Sequence, residues 1–190
     1  MILPIKNGKR IKENYVGKNL KNYDSMLVLS HFKGHPMGGY GGALKQLSIG
    51  VASSAGKCWI HSVGKTRSQD EVWEVEVNHD EFLEAIAESA GSVAEYFKDN
   101  IVYINIMCNL SVDCDCCYIA EDPCMADIGI LAGTDPVAVD KACIDLVYHS
   151  TDKGRDHFVE RVESRNGTYT IDTAADLGIG SKDYALISID

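Results

Sequence analysis

Apolar runs and helical periodicity alternate along this chain, which predicts strands followed by helices. Met26–His31 and Ile101–Met107 begin as continuous apolar runs rich in strand formers, which is typical of strands buried on both faces. A helix is predicted from Asn78, a good N-cap residue, because the apolar positions after it keep helical spacing. A second helix is predicted at residues 137–149, after the polar cap and proline of Thr134-Asp135-Pro136. This alternation predicts an α/β sandwich with a parallel or mixed sheet and helices packed on it.

The weaker patterns predict the remaining elements. Residues 71–77 alternate strictly between polar and apolar side chains, as in a half-exposed strand, and residues 50–56 have the small, polar composition of a loop. Further elements are predicted as helices near 16–22, 42–49, 155–163 and 173–177, and as strands at 57–63, 128–131 and 184–189. A length of 190 residues predicts a single domain comprising residues 1–190.

The stretch 26–45, MLVLSHFKGHPMGGYGGALK, combines an apolar run with histidines, lysines and glycines. Gly34 and Pro36 interrupt regular structure directly after the predicted strand. His31 and His35 therefore do not share the face of a helix, and a loop must carry them if both reach one site.

The glycines that follow predict a tight turn between a strand and a helix. Such a turn lets backbone N–H groups approach an anion, and a lysine in the helix adds a positive charge. This interpretation selects as anion-binding residues Lys33, Gly39, Gly41, Gly42, Lys45 and Asp127. The stretch is neither a P-loop nor a dinucleotide-binding turn, and the alternative is that the glycines only permit the turn.

A second polar segment, residues 113–127, holds most of the cysteines. Five of the seven lie between Cys108 and Cys124. Their spacing matches neither a zinc ribbon nor a ferredoxin, so a four-iron, four-sulfur cluster of the chain's own is not expected. A mixed site for a transition metal, Fe or Zn, is predicted instead from His31, His35, His61, Cys114 and Cys116. The alternative is that these cysteines are small buried hydrophobes and the nearby aspartates cap turns.

Composition excludes some classes of partner. The formal net charge is −10, with 24% charged residues, and no basic stripe suggests nucleic-acid binding. No apolar segment approaches the length of a membrane span, and the first residues lack the apolar core of a signal peptide. We therefore expect a cytoplasmic protein whose cysteines are thiols or metal ligands rather than disulfides.

Several strings, SHFKGHPMGGYGGALKQLSIG, DCDC and DIGILAGTDPVAVDKACIDLV, resemble the C-terminal part of the family known as domain of unknown function 362. The resemblance extends from about Leu20 onward. Members of that family commonly carry an inserted ferredoxin-type segment and are often named iron–sulfur proteins, but the cysteines of that insert are absent between His61 and Ile101. The resemblance implies recurrent polar positions of unassigned role at His31, Lys33, His35, Lys45, His61, Cys114, Cys116, Asp127 and Asp135.

Three functions are compatible with these patterns. The first is a metal or redox site built from histidine and cysteine on two loops at the ends of sheet strands. The second is an enzyme that binds a phosphate or carboxylate at the glycine turn, with Asp127 or Asp135 in acid–base chemistry. The third is a non-catalytic scaffold that docks a redox protein. The expected partners are accordingly a redox protein or a small-molecule anion, and whether the chain is an enzyme stays open.

Overall fold

The structure is a computed structural model that describes residues 1–189. The strands are β1 (Ile2–Pro4), β2 (Glu13–Tyr15), β3 (Met26–His31), β4 (Lys33–His35), β5 (Gly39–Gly41), β6 (Ile101–Met107) and β7 (Gly129–Gly133). The α-helices are α1 (Ala43–Lys45), α2 (Ser54–His61), α3 (His79–Phe97), α4 (Pro136–Tyr148), α5 (Arg155–Ser164) and α6 (Tyr169–Asp176). A π-helical turn at Gln46–Gly50 continues α1.

Three of the strands form the central sheet in the order β3-β6-β7. β3 runs parallel to β6, with Met26 opposite Ile101 and His31 opposite Ile106. β7 runs antiparallel to β6. The sheet is therefore mixed, with helices packed against it, which confirms the predicted α/β class. Two antiparallel pairs, β1-β2 and β4-β5, lie outside this sheet.

The main hydrophobic core lies between the inner face of this sheet and the helices. Val28, Tyr103 and Met107 from the sheet belong to the same buried cluster as Val93 of α3 and Val147 of α4. A smaller cluster packs the N-terminal segment against α2 and the first half of α3. Burial of these apolar faces supplies the main favourable free energy for folding, at about 25 cal/mol per Å² of apolar surface.

Local capping explains why the two longest helices begin where the sequence predicts. The Asn78 side chain accepts hydrogen bonds from the backbone N–H groups of Asp80 and Glu81, at 3.0 and 3.2 Å. Asp135 accepts from the backbone N–H groups of Val137 and Ala138, at 2.8 and 3.0 Å. Each cap satisfies donors that the first turn of a helix leaves free, so these predicted helix starts are confirmed.

The strand predicted at residues 57–63 is wrong, because α2 (Ser54–His61) occupies this stretch. The Ser53 side chain caps the helix by accepting from the Gly56 N–H. The high strand propensity of these residues does not determine their structure. Trp59, for example, lies on this helix and donates its indole N–H to the Glu13 carbonyl. The predicted loop at 50–56 accordingly ends where this helix begins.

Two predicted strands do not form because no neighbouring strand within residues 1–189 pairs with them, and two predicted helices have other bounds. Residues 71–74 form turns and residues 75–77 are irregular, with Val72 buried and Trp73 71% exposed. Residues 184–189 are not a strand, and Ile187 is 78% exposed. The helix expected at 16–22 is reduced to a 3₁₀ turn at Leu20–Asn22, and the helix expected at 173–177 begins earlier, as α6. A strand or helix pattern in the sequence does not ensure that the segment finds a neighbouring strand or helix to pack against.

Candidate functional site

The parallel pairing of β3 and β6 brings the two polar segments to one edge of the sheet. The β4-β5 hairpin follows β3, and the segment from Cys108 to Ile128, here called the cysteine loop, follows β6. The Gly34 N–H donates to the Ser111 carbonyl at 2.7 Å. A Cβ atom at Gly34 would lie 2.3 Å from the Val112 carbonyl oxygen, so only glycine permits this approach of the two segments.

At this junction His35 comes together with Cys114 and Cys116. The ligand atoms of the three side chains lie within 4.8 Å of one another, and His35 Nε2 is 3.9 Å from Cys116 Sγ. His35 and Cys114 are buried, whereas Cys116 is exposed. We call these three residues the His–Cys cluster. It offers one nitrogen and two sulfur atoms, a donor set that suits soft or borderline transition metals.

The hydrogen bonds of His35 define which ring nitrogen carries the proton. The backbone N–H groups of Met37 and Gly38 both donate to His35 Nδ1, at 3.1 and 2.9 Å. The neutral ring must therefore carry its proton on Nε2, which faces Cys116 Sγ. Burial, followed by the positive charge of Lys45, lowers the pKa of His35 to about 3, so the ring is neutral at physiological pH.

Two lysines and one aspartate hold the cysteine loop against the hairpin. Lys45 Nζ lies 3.7 Å from Cys114 Sγ. Lys33 Nζ forms an ion pair with Asp115 at 2.9 Å, and Asp115 also contacts His31 Nδ1 at 3.0 Å. Burial alone would raise the pKa of Asp115, but the hydrogen bonds from Lys33 and His31 outweigh burial and lower it.

Cys116 is a thiol rather than a thiolate in this environment. Partial desolvation of its sulfur atom, together with its contact with Cys114, raises the pKa of the Cys116 thiol to about 11. The backbone N–H of Cys116 donates to Cys114 Sγ at 3.4 Å, so the two sulfur atoms share one local network. A metal ion that binds here has to displace the thiol protons, as it does at other cysteine sites.

Two predicted metal ligands lie outside the His–Cys cluster. Both ring nitrogens of His31 face oxygen acceptors, the Asp115 carboxylate and the Cys108 carbonyl, so neither is free for a metal. His61 lies on α2, where its Nδ1 contacts the Lys57 carbonyl at 2.7 Å and its ring packs against Phe82. Burial lowers the pKa of His61. His61 affects the cluster through a coulombic contribution that helps to lower the pKa of His35.

The N–H groups expected to cradle an anion already have a partner within the chain. Ala43 N and Leu44 N donate to the two carboxylate oxygens of Asp140, at 2.7 and 3.0 Å. A Cβ atom at Gly42 would lie 2.5 Å from Asp140 Oδ1, so this glycine admits the carboxylate. Anion binding stays a prediction, but without these two donors.

The other glycines of that prediction have conformational and packing roles. Gly39 has φ of 78°, and a Cβ atom there would lie 2.7 Å from the Gly167 Cα, so the hairpin requires glycine for both reasons. Gly41 lies beneath the side chains of Lys33 and Lys45, which a Cβ atom there would touch at 3.6 and 3.9 Å. This places both lysines over the glycine hairpin, on the side of the cysteine loop.

Asp127 and Asp135 contact backbone donors. Asp127 accepts from the Asn109 N–H at 2.7 Å and lies beside Cys108, whose thiol pKa is raised by burial and by this carboxylate. Asp135 caps α4 and accepts from the Ser181 N–H at 2.8 Å. Both carboxylates therefore have structural contacts, and their proposed role in acid–base chemistry stays a prediction.

Sequence reasoning missed three residues of this region. Asp115 was in the polar segment but was not selected, although it lies between the two cysteines. Arg161 of α5 binds the cysteine loop through the Val112 carbonyl, at 2.9 Å, and through Asp113 Oδ1, at 2.7 Å. Asp140 could have been found, because it is an acidic residue three positions from Val137 and Cys143 on the buried face of a predicted helix.

The seven cysteines are free thiols. Cys143 is fully buried in the main core, as its position in the predicted helix indicated, and burial raises the pKa of its thiol. Cys58 is buried on α2. Cys117 follows the cluster directly in sequence but is not one of its three ligand residues.

Comparison with protein families matches residues 2–145 to the model described as "Domain of unknown function (DUF362)". This match covers more than two thirds of the chain and includes both polar segments, so the chain belongs to this family. It begins before the motifs quoted above and leaves residues 146–190 outside. A search of curated proteins and a search of solved structures each found no match.

The helices of the described residues were also compared with the requirements of a membrane span. Within residues 1–189, none combines the length and the apolar character needed to cross a bilayer.

Proposed function

We propose that this protein binds a thiophilic transition metal ion, with Zn²⁺ and Fe²⁺ as the first candidates, at the His–Cys cluster. The observation that carries the proposal is the convergence of three ligand atoms within 4.8 Å, from residues about 80 positions apart in the chain. A Zn–S bond of about 2.3 Å requires sulfur atoms roughly 3.8 Å apart in a tetrahedral site. The two sulfur atoms, which lie within 4.8 Å of each other, therefore need to approach only slightly to bind one ion.

The surroundings of the cluster support sulfur and nitrogen ligands over oxygen. The carboxylate of Asp115, between the two cysteines in sequence, is engaged by Lys33 and His31. The positive charge of Lys45 beside Cys114 can balance the negative charge that a thiolate brings to the site. Three protein ligands would leave a fourth position for water or a small molecule, as in zinc sites that are not purely structural.

The proton on His35 Nε2 makes His35 a weaker contributor to metal affinity than the two cysteines. Coordination through Nε2 requires that proton to move, and Nδ1 already accepts from two backbone N–H groups. A proton on Nδ1 would face Met37 N–H and Gly38 N–H, so the turn that carries them must open when His35 coordinates. Cys114 and Cys116 have no such conflict, and we assign them the larger share of the affinity.

The experiment is a Zn²⁺ titration of chelator-treated protein under reducing, anaerobic conditions, in competition with a colorimetric chelator. We expect one ion per chain, and at least a 100-fold loss of affinity in both Cys114→Ser and Cys116→Ser. The matched control is Cys117→Ser, a neighbouring cysteine outside the cluster, which should bind like the wild type. Absence of binding by the wild type, or an equal loss in the Cys117 variant, would contradict the proposal.

A second candidate function is thiol–disulfide exchange by Cys114 and Cys116, favoured by the position of their sulfur atoms within 4.8 Å of each other. Two thiols would reduce a substrate disulfide to two thiols and would themselves form one disulfide, losing two protons and two electrons to the substrate. Metal-free protein treated with a small disulfide should then lose the mass of two hydrogen atoms. Neither Cys114→Ser nor Cys116→Ser should do so. An unchanged wild-type mass would remove this candidate.

A further inference from the structure

Within residues 1–189, the central sheet has helices on one face only. Side chains that point to the helices, such as Val28, Tyr103 and Met107, are buried. Along the described strands, the opposite face carries eight side chains, and seven of these are apolar. We call it the outer face, and its residues are Leu27, Leu29, His31, Val102, Ile104, Ile106, Ile130 and Ala132.

Strand pairing makes the outer face one continuous apolar surface. Leu27 lies opposite Val102 across the parallel pair, and Ile106 lies opposite Ile130 across the antiparallel pair. Leu27 is 60% exposed and Ile130 is 65% exposed. The uncovered apolar area is on the order of 500 Å², which is near the upper end of what a monomer leaves in contact with water.

Parallel strand pairs are almost always covered on both faces, because their connections place other elements on each side. The pair of β3 and β6 breaks this rule in the described residues. Leu29 and Val102 are residue types typical of a buried sheet face. They are nevertheless 55% and 42% exposed, because no other described element covers them. A surface of this kind gains free energy when it is covered.

Charge restricts what can cover it. The chain carries a formal net charge of −10, so the acidic remainder of the surface opposes association between identical chains. The outer face has no acidic or basic residue apart from His31, so this repulsion is weakest there. A charged partner would find no complementary group on it, whereas an identical face matches it in chemistry.

We propose that two copies of this chain associate through their outer faces, sheet against sheet. Two sheets pack about 10 Å apart with their side chains interdigitated. Coverage of both faces would bury on the order of 1,000 Å² in total, which meets the minimum for a weak, concentration-dependent biological interface. The interface would extend to His31, whose ring contacts Asp115 of the cysteine loop, so it would border the His–Cys cluster.

The test is sedimentation velocity of the wild-type chain from about 1 µM to about 100 µM. We expect a species of twice 20.8 kDa at the higher concentrations. Leu29→Glu and Ile130→Glu each place a negative charge opposite a second copy and should sediment as monomers, with at least a 100-fold weaker association. Circular dichroism verifies that both variants remain folded, since both positions are already exposed in one copy.

The matched control is Ile187→Glu, which adds the same charge at an exposed position in the C-terminal segment, outside the sheet. It should associate like the wild type. A wild-type chain that remains at 20.8 kDa throughout would overturn the proposal. A dimer that persists in both sheet variants would overturn it as well. Neither result depends on whether the His–Cys cluster binds a metal.

Discussion

The Asp140 carboxylate and the His–Cys cluster show two opposite ways in which this chain holds reactive side chains. Asp140 is fully buried and accepts four hydrogen bonds. Its donors are Ala43 N at 2.7 Å, Leu44 N at 3.0 Å, Tyr40 Oη at 2.9 Å and Asn105 Nδ2 at 2.8 Å. Every lone pair that points to a neighbour has a donor, so this carboxylate joins α4 to α1 and to the sheet.

The sulfur atoms of the cluster have fewer and longer polar contacts than the Asp140 oxygens, and Cys114 Sγ accepts from the Cys116 N–H at 3.4 Å. Cys114 Sγ lies 3.7 Å from Lys45 Nζ, and Cys116 Sγ lies 3.9 Å from His35 Nε2. Cys116 is also exposed. This contrast indicates that the Asp140 carboxylate supports the fold, whereas the cysteine sulfur atoms are free to react. A saturated buried carboxylate stabilises the structure, whereas the incompletely satisfied sulfur atoms of buried Cys114 and exposed Cys116 are available to a metal ion.

The largest expected effect is on stability, at Asp140. Asp140→Ala removes the acceptor of four buried donors and leaves them unsatisfied, so we expect a loss of about 3–5 kcal/mol in the free energy of unfolding. Urea denaturation monitored by circular dichroism measures this loss. Asp156→Ala is the control, since Asp156 forms only an exposed ion pair with Arg155 and should change stability by about 0.5 kcal/mol or less. A small effect at Asp140 would mean that the carboxylate is not a structural element.

The second effect is ligand-linked stabilisation at the cluster. A free Zn²⁺ concentration of 100 times the dissociation constant should stabilise the wild type by about 2.7 kcal/mol. Cys116→Ser should lose this gain, but without metal its stability should stay within about 0.5 kcal/mol of the wild type, because the side chain is exposed. Denaturation with and without Zn²⁺ measures both quantities. If Cys116→Ser were strongly destabilised without metal, the cluster would resemble Asp140 and the contrast would disappear.

A smaller effect concerns pH. Burial raises the pKa of Asp140 above its ordinary value of 3.8, although the hydrogen bonds from Asn105, Leu44, Ala43 and Tyr40 act in the opposite direction. The folded chain therefore binds this proton more tightly than the unfolded chain. Its contribution to stability is fully present below the unfolded pKa and is lost as pH rises through the folded pKa.

Asp140→Asn cannot ionise and should lack this pH dependence. As pH rises from the ordinary pKa of an aspartate through the raised pKa of the folded state, the unfolding free energy of the wild type should fall relative to that of the variant. Urea titrations of both proteins at several pH values measure the difference. Parallel pH profiles would show that the Asp140 pKa is not raised by folding.

The smallest effect is spectroscopic. In metal-free protein, nitrogen NMR should show His35 protonated on Nε2 and unprotonated on Nδ1, because two backbone N–H groups donate to Nδ1. His61 should show the opposite tautomer, since its Nδ1 faces the Lys57 carbonyl. Zn²⁺ should alter the His35 signals and leave those of His61 unchanged. A proton on His35 Nδ1 before metal is added would refute our ranking of the ligands.

Much of the fold could be predicted because its signals are local. Asn78 and Asp135 cap helices within three residues of themselves, and the apolar runs in Met26–His31 and Ile101–Met107 form strands as expected. The failures occur where local preference and tertiary contacts disagree. At Cys58-Trp59-Ile60 the strand-forming residues lie in a helix, because Ser53 caps it and its buried side packs beside the N-terminal segment.

The site was predictable only in part. The residue types near His35 and Cys114 indicated soft-metal chemistry, and a meeting of the two polar segments was a reasonable hypothesis. Which histidine reaches the cysteines was not predictable, since the expected strand at His61 is a helix. The partner of the glycine turn was also hidden, because Asp140 lies almost 100 residues away in the chain.

Local sequence signals suffice to predict the elements defined within one turn or one strand, and they indicate the two segments that hold the chemistry. The choice of histidine is visible only in the folded chain. His35 lies beside Cys114 and Cys116, whereas His31 and His61 do not belong to this group. The tertiary structure also decided that Asp140 occupies the turn proposed for an anion. Caps and periodicity act over a few residues, so they can be recognised in the sequence. Contacts between distant side chains depend instead on the register of β3 beside β6, and no local pattern specifies that register.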